Sequence, residues 1–194
     1  GGGMFLAGAN TGGRNVLLQN TTISGNTSTG GTGGGIYHDG YGQASNTITL
    51  QQVTLSDNSG VGTGGFENGN SLGGGGSITL QNTIIANSTG TEFGNSGVGT
   101  LTLVTASIVE DGSMAGASSG DPMLNPLAGG VHTLQVGSPA IDTGSSSVEV
   151  STDQLGALRG VCFPDIGAVE RAGGASLVFS APAGITNTWI GCTK

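Results

Sequence analysis

A ten-residue segment that recurs along the chain, alternating apolar and polar side chains within it, and 41 glycines in 194 residues together predict an all-β fold of stacked coils, a parallel β-helix. Glycine at roughly three times ordinary usage needs a backbone reason. Aromatic residues make up 4% and charged residues 8% of the chain, which excludes a coiled coil, a long-helix protein and a charged disordered tail. A hydrophobic content of 35% suits an elongated, thin core better than a compact one built from large side chains.

The first copy, Asn15-Val16-Leu17-Leu18-Gln19-Asn20-Thr21-Thr22-Ile23-Ser24, returns at 47–56, at 77–86 and, more weakly, at 100–109. Leu18, Leu50, Leu80 and Leu103 mark offsets of 32, 30 and 23 residues. A marker precedes the first three copies at the same spacing: Gly2-Gly3-Met4-Phe5, Gly34-Gly35-Ile36-Tyr37 and Gly64-Gly65-Phe66-Glu67. Aligned, three columns are apolar in every copy: Val16/Ile48/Ile78/Leu101, Leu18/Leu50/Leu80/Leu103 and Ile23/Leu55/Ile85/Ile108. The first two columns alternate with mostly polar positions, the period of a strand with one buried face. Copies this short enclose no core alone, so they are expected to pair in parallel and stack their apolar columns along an axis.

Corners are expected at the Ser-Gly-Asn, Ser-Asp-Asn and Ala-Asn-Ser steps that start at Ser24, Ser56 and Ala86, and at the glycine clusters, where positive φ and side-chain-to-backbone bonds turn the chain. The coils fill residues 1–113. All five prolines lie between Pro122 and Pro182, which marks a different unit over 114–170 and a strand-like tail over 171–194. Residues 137–144 read as a tight turn and short strand, with Pro139 fixing φ and Ile141 inward, that closes the stack.

Asp121-Pro122, Gly137-Ser138-Pro139-Ala140-Ile141-Asp142-Thr143-Gly144, Asp153-Gln154-Leu155-Gly156, Arg159 and Asp165-Ile166-Gly167-Ala168-Val169-Glu170 resemble the choice-of-anchor Q domain that ends bacterial surface β-helix proteins. The glycine-rich coils before it are also typical of that family; Leu155 and Val169 stand where it commonly has arginine and an aromatic residue. The resemblance implies an exported bacterial surface protein and supplies no catalytic residue. A right-handed helix follows from it and from the crossover rule for parallel strands.

Four Lys and Arg against twelve Asp and Glu give a net charge of −8, so no basic footprint exists for nucleic acid. No run is apolar and long enough to span a bilayer. The glycine pattern at 60–65 matches a dinucleotide fingerprint and Gly116-Ala117-Ser118-Ser119-Gly120 spells a nucleophile elbow, but neither has the strand-turn-helix context its chemistry needs. His38 and His132 read as polar surface positions without a second ligand at metal spacing, and no metal or cofactor is expected. Asp142, Asp153, Arg159 and Asp165 are expected to pair in a structural ion-pair or hydrogen-bond network and not in an active site. The acids of the coils are scattered, with Glu110-Asp111 read as a turn. Thr47/Ser77/Thr100 and Thr49/Thr79/Thr102 form outward hydroxyl columns, interrupted by Leu17, that resemble those of ice-binding solenoids; threonine as a good exposed strand residue is the favoured explanation.

These readings lead to a non-enzymatic extracellular structural or adhesive element. The alternative is a carbohydrate-active enzyme, a lyase or hydrolase, or a module that binds surface glycans. Cys162 and Cys192 are expected to form a disulfide that ties the tail to 114–170. The chain opens in mid-repeat at Met4 and Phe5, and the tail presents Leu177, Phe179 and Trp189; an open coil templates pairing, so head-to-tail self-association is expected through these two ends.

Overall fold

The computed structural model describes residues 1–7, 13–40, 46–69, 76–96, 100–148, 150–160 and 163–171, without the side chains of 101–103. Among them there is no helix, and no helix long and apolar enough to cross a membrane. The strands are β1 (Met4–Ala7), β2 (Asn15–Ser24), β3 (Thr27–Ser28), β4 (Ile36–Asp39), β5 (Thr47–Ser56), β6 (Ser59–Gly69), β7 (Ser77–Gln81), β8 (Ile84–Ala86), β9 (Thr89–Asn95), β10 (Leu101–Thr105) and β11 (Ile108–Val109).

The chain passes back and forth between two sheets, and every strand pairing within them is parallel. In the first sheet β1 pairs β4, β4 pairs β6, and β6 also takes β3 and β9. In the second, β2 pairs β5, β5 pairs β7 and β8, β7 pairs β10, and β8 pairs β11. Successive repeats are therefore neighbours in both sheets. Val16, Ile48 and Ile78 share one register position, as do Leu18, Leu50 and Leu80, and Ile23, Leu55 and Ile85. Of these, the members from the second and third repeats are at most 1% exposed; with Ile36, Phe66, Phe93, Val109 and Met114 they form the main core, against which Met4, Leu6, Val16, Leu18 and Ile23 of the first repeat pack while only partly buried.

The fourth repeat is one residue out of the expected alignment. β10 carries a bulge between Leu101 and Leu103, so Leu101 pairs with Ile78 but Leu103 pairs with Thr79, and Val104 takes the place opposite Leu80. The extra residue shifts the remainder of the repeat. Ile108 pairs with Ile84, and Val109, not Ile108, continues the Ile23/Leu55/Ile85 column. Ile108 lies instead on the opposite side of β11, in a second core with Ile84, Ala86, Leu124, Leu134, Ala140 and Ile166.

That second core corrects the placement of 114–170. Far from closing one end, this segment runs along the side of the stack as a brace. Ser118 bridges to Ile108 of the fourth repeat, Ser145 bonds Asn82 of the third, and the Ala168 N–H donates to Thr54 Oγ1 of the second at 3.0 Å. Gln154 accepts from Thr22 of the first at 2.7 Å. The outward side of β8 and β11 is apolar at Ile84 and Ile108, and the brace is what removes it from water.

Two columns of left-handed residues make the corners. Gly25, Asp57 and Asn87 (φ 70°, 56° and 58°) follow Ser24, Ser56 and Ala86 as the sequence suggests. A column unforeseen in the sequence lies at Asn20, Gln52, Asn82 and Ala106 (φ 47°, 53°, 48° and 42°). Glycine has a further use in the marker column: a Cβ on Gly34 would strike the backbone carbonyl of Ser59, and one on Gly64 that of Thr89, so the backbones there approach too closely for any side chain.

Candidate functional site

The brace holds the densest cluster of charges. Arg159 Nη2 donates to Asn20 Oδ1 and to the carbonyls of Gly167 and Ala168, and Nη1 to Glu170 Oε2 and the Asp165 carbonyl. Asp153 Oδ1 accepts from the N–H groups of Leu155 and Ala157, and Oδ2 from Glu170 N–H. Asp165 accepts from Asp142 N–H and Arg171 N–H. Burial raises the Asp165 and Glu170 carboxyls above their ordinary range against these hydrogen bonds, and lowers Arg159 against the pull of Glu170 and Asp153. Backbone groups occupy these acids, as in a hydrogen-bonded structural network; Arg159 makes its ion pair with Glu170 at 3.3 Å and not with the expected Asp142, Asp153 or Asp165, and Asp142 joins through its backbone N–H. Beside them a groove of about 720 Å³ runs past Gln135, Val136, Asp153 and Leu155; its carboxylates Asp153 and Glu170 are the ones just described.

Both histidines are buried, at 3% exposure each, contrary to the surface positions expected. His132 Nδ1 lies 2.8 Å from the Asn125 carbonyl, so Nδ1 carries the proton and Nε2 accepts the Ser24 hydroxyl at 2.8 Å. The pair has the outline of a nucleophile and its base. Its surroundings oppose acyl transfer: the next two amides, Gly25 and Asn26, already donate to Ser56 O and Asn58 Oδ1. The Asp57 carboxylate, 3.6 Å from Nε2, puts negative charge where an oxyanion would need donors. His132 is thus a clamp between brace and first corner, invisible in sequence because Ser24 lies 108 residues away. His38 Nδ1 bonds Asn68 Oδ1, and Asn68 Nδ2 bonds Asn95 Oδ1, in a row across three repeats; burial lowers the His38 pKa despite Asn68 and Asp39.

The coil acids also serve the backbone. Glu110 accepts the Asn87 N–H and Asp111 the Glu92 N–H. Glu92 is 3% exposed and accepts the Ser88 N–H; burial raises its pKa first, Ser88 counteracts, and Glu110 and Asp111 add to the rise. Among the described residues, no group of three or more His, Cys, Asp or Glu side chains is placed to hold a metal ion.

The outward side of the second sheet is a different kind of surface. Asn15, Thr47 and Ser77 share one register position; Leu17, Thr49 and Thr79 a second; Gln19, Gln51 and Gln81 a third. Those of the first repeat are exposed and the rest half-buried. Thr47 Oγ1 donates to Asn15 Oδ1 at 2.6 Å and Gln19 Nε2 to Gln51 Oε1 at 2.7 Å. Of the assembly candidates, Phe5 is 56% exposed and stacks on Tyr37 at 5.5 Å, while Met4 packs on the main core. Cys162, Leu177, Phe179, Trp189 and Cys192 lie outside the described residues. No family model, curated protein or solved structure matches the chain.

Proposed function

We propose that the chain is a right-handed parallel β-helix acting as a non-enzymatic structural or adhesive element outside the bacterial cell, with 114–170 a choice-of-anchor Q-like unit. The observation that carries this reading is the destination of its polar groups. Of the groups that chemistry would need, Ser24 with His132 and Arg159 with Asn20 are bonded across the contact between brace and coils, while Asp153, Asp165 and Glu170 are bonded to backbone N–H groups of the brace itself. A scaffold uses polar side chains in this way; an active site leaves some aimed at open space.

Head-to-tail assembly belongs to the same reading. Met4, Leu6, Val16, Leu18 and Ile23 of the first repeat keep partial exposure, and the apolar residues Leu177, Phe179 and Trp189 of the tail are the proposed cover, with Cys162–Cys192 tying the tail down. Negative-stain microscopy of the native chain, paired with assays for reducing ends and unsaturated products on acidic polysaccharides, tests both parts. Filaments without turnover are expected; turnover abolished by His132→Ala would replace the scaffold with an enzyme. The polysaccharide-binding alternative is favoured by the outward face of the second sheet.

A further inference from the structure

Among the described residues, the outward face of the second sheet carries no charged side chain, although the chain has twelve acids and a net charge of −8. Alternation sends Val16, Leu18, Ile48, Leu50, Ile78 and Leu80 to the core and leaves hydroxyls and carboxamides outward, Leu17 excepted. The brace bonds to the neighbouring positions Asn20, Thr22, Thr54 and Asn82, one step further along the strands. We propose that this face binds an extended, neutral polysaccharide. The proposal rests on the scaffold reading above and names its partner.

Charge selects the partner class. A polyanion, nucleic acid included, finds no cation on this face and a net negative protein behind it. A cationic ligand finds no carboxylate there. A protein partner would need an apolar centre to its contact, and among the described side chains Leu17, on the edge strand β2, is the one large apolar group the face offers, with Leu103 at the register position opposite Thr79 on β10. Hydroxyl and carboxamide groups each donate and accept, as sugar hydroxyls do.

Geometry supports the same occupant. Parallel pairing repeats each type of group about every 4.8 Å across the strands, comparable to the rise of one sugar unit in an extended β-linked chain. The Thr47–Asn15 and Gln19–Gln51 hydrogen bonds hold the rows in place before any ligand arrives, which lowers the ordering cost of binding.

The test uses the full chain with soluble β-glucan and xylan as neutral probes, and polygalacturonate and a sulfated glucan as anionic ones, read by affinity electrophoresis and calorimetry. Binding to at least one neutral probe is expected, weakened at least tenfold in a Thr49→Ala, Gln51→Ala, Thr79→Ala variant. Leu158→Ser, on the brace, should bind as the parent does. Thr79→Val alone, which keeps the shape and removes one hydroxyl, should weaken binding by a smaller factor and guards against loss of fold in the triple variant. Three results overturn the proposal: no affinity for either neutral probe, preference for the anionic ones, or unchanged binding in a folded triple variant. Thermal hysteresis without glycan affinity also overturns it, in favour of an ice-facing array. In each case filament formation in the microscope still decides the scaffold reading separately.

Discussion

Arg159 and Asn20 meet across 139 residues of sequence: Nη2 donates to Asn20 Oδ1 at 3.0 Å, while Asn20 Nδ2 donates to the Thr152 carbonyl at 2.7 Å. Asn20 sits at a left-handed corner, so one residue turns the first repeat and fastens the brace to it. Asn82 repeats the device in the third repeat through both Ser145 backbone groups.

Replacing Arg159 by methionine should therefore loosen the brace more than the coils. Asn20, Glu170 and three backbone carbonyls lose a partner in a buried setting, a cost of about 2–4 kcal/mol. Arg159→Lys recovers only part of it, because one ammonium cannot match the planar fork. Urea unfolding compared across the three proteins checks the order.

Asn82 separates backbone from side-chain effects. Asn82→Gly keeps the left-handed corner and removes two hydrogen bonds, costing about 1–2 kcal/mol. Asn82→Val adds a Cβ-branched residue at φ 48° and costs about 1–2 kcal/mol more. Equal melting temperatures for the two variants would contradict the assigned corner.

Leu50 and Leu80 are fully buried, and an aspartate at either should prevent folding, since its carboxylate has several kcal/mol of desolvation to meet and no partner. Thr49→Asp, on the outward face, should be far milder. Circular dichroism and thermal melts compare the two classes directly.

Acidification should stabilise the fold over part of the carboxylate range. Burial raises Glu92, Asp165 and Glu170, so the folded chain holds their protons more tightly than the unfolded one. That contribution is complete below the unfolded carboxyl values and is lost as pH rises through the raised ones. Asp111 acts in the opposite direction: burial pushes it up, but bonds from Ser113 and Glu92 outweigh this and leave it lowered, so its contribution is lost as pH falls through its folded value. Glu92→Gln should flatten the decline in stability as pH rises above the ordinary glutamate range, read from urea midpoints measured at a series of pH values.

The coil columns were legible because Val16, Ile48 and Ile78 repeat in sequence what their register repeats in space. The fourth copy was not, since Leu101, Leu103 and Val104 satisfy either alignment as apolar residues. Its true register is marked by a hydroxyl: Ser107 Oγ bonds the Thr105 carbonyl as Thr83 Oγ1 bonds that of Gln81. The brace was hidden for another reason. Its partners Asn20, Thr54 and Asn82 look like ordinary corner and surface residues, and nothing local distinguishes an asparagine that caps its own turn from one that binds a segment more than sixty residues away. The outward face follows from alternation in the first three copies, but the bulge in β10 puts Leu103, not the expected Thr102, opposite Thr79.

Native-state hydrogen exchange at the Gly167 and Ala168 amides tests the braced stack most directly. They donate to the Asn82 carbonyl and Thr54 Oγ1, so the account predicts protection comparable to that of β5, lost in Arg159→Met while β5 stays protected. Rapid exchange at 167–168 in the parent chain, with β5 still protected, would mean that 114–170 does not lie along the coils and would contradict it.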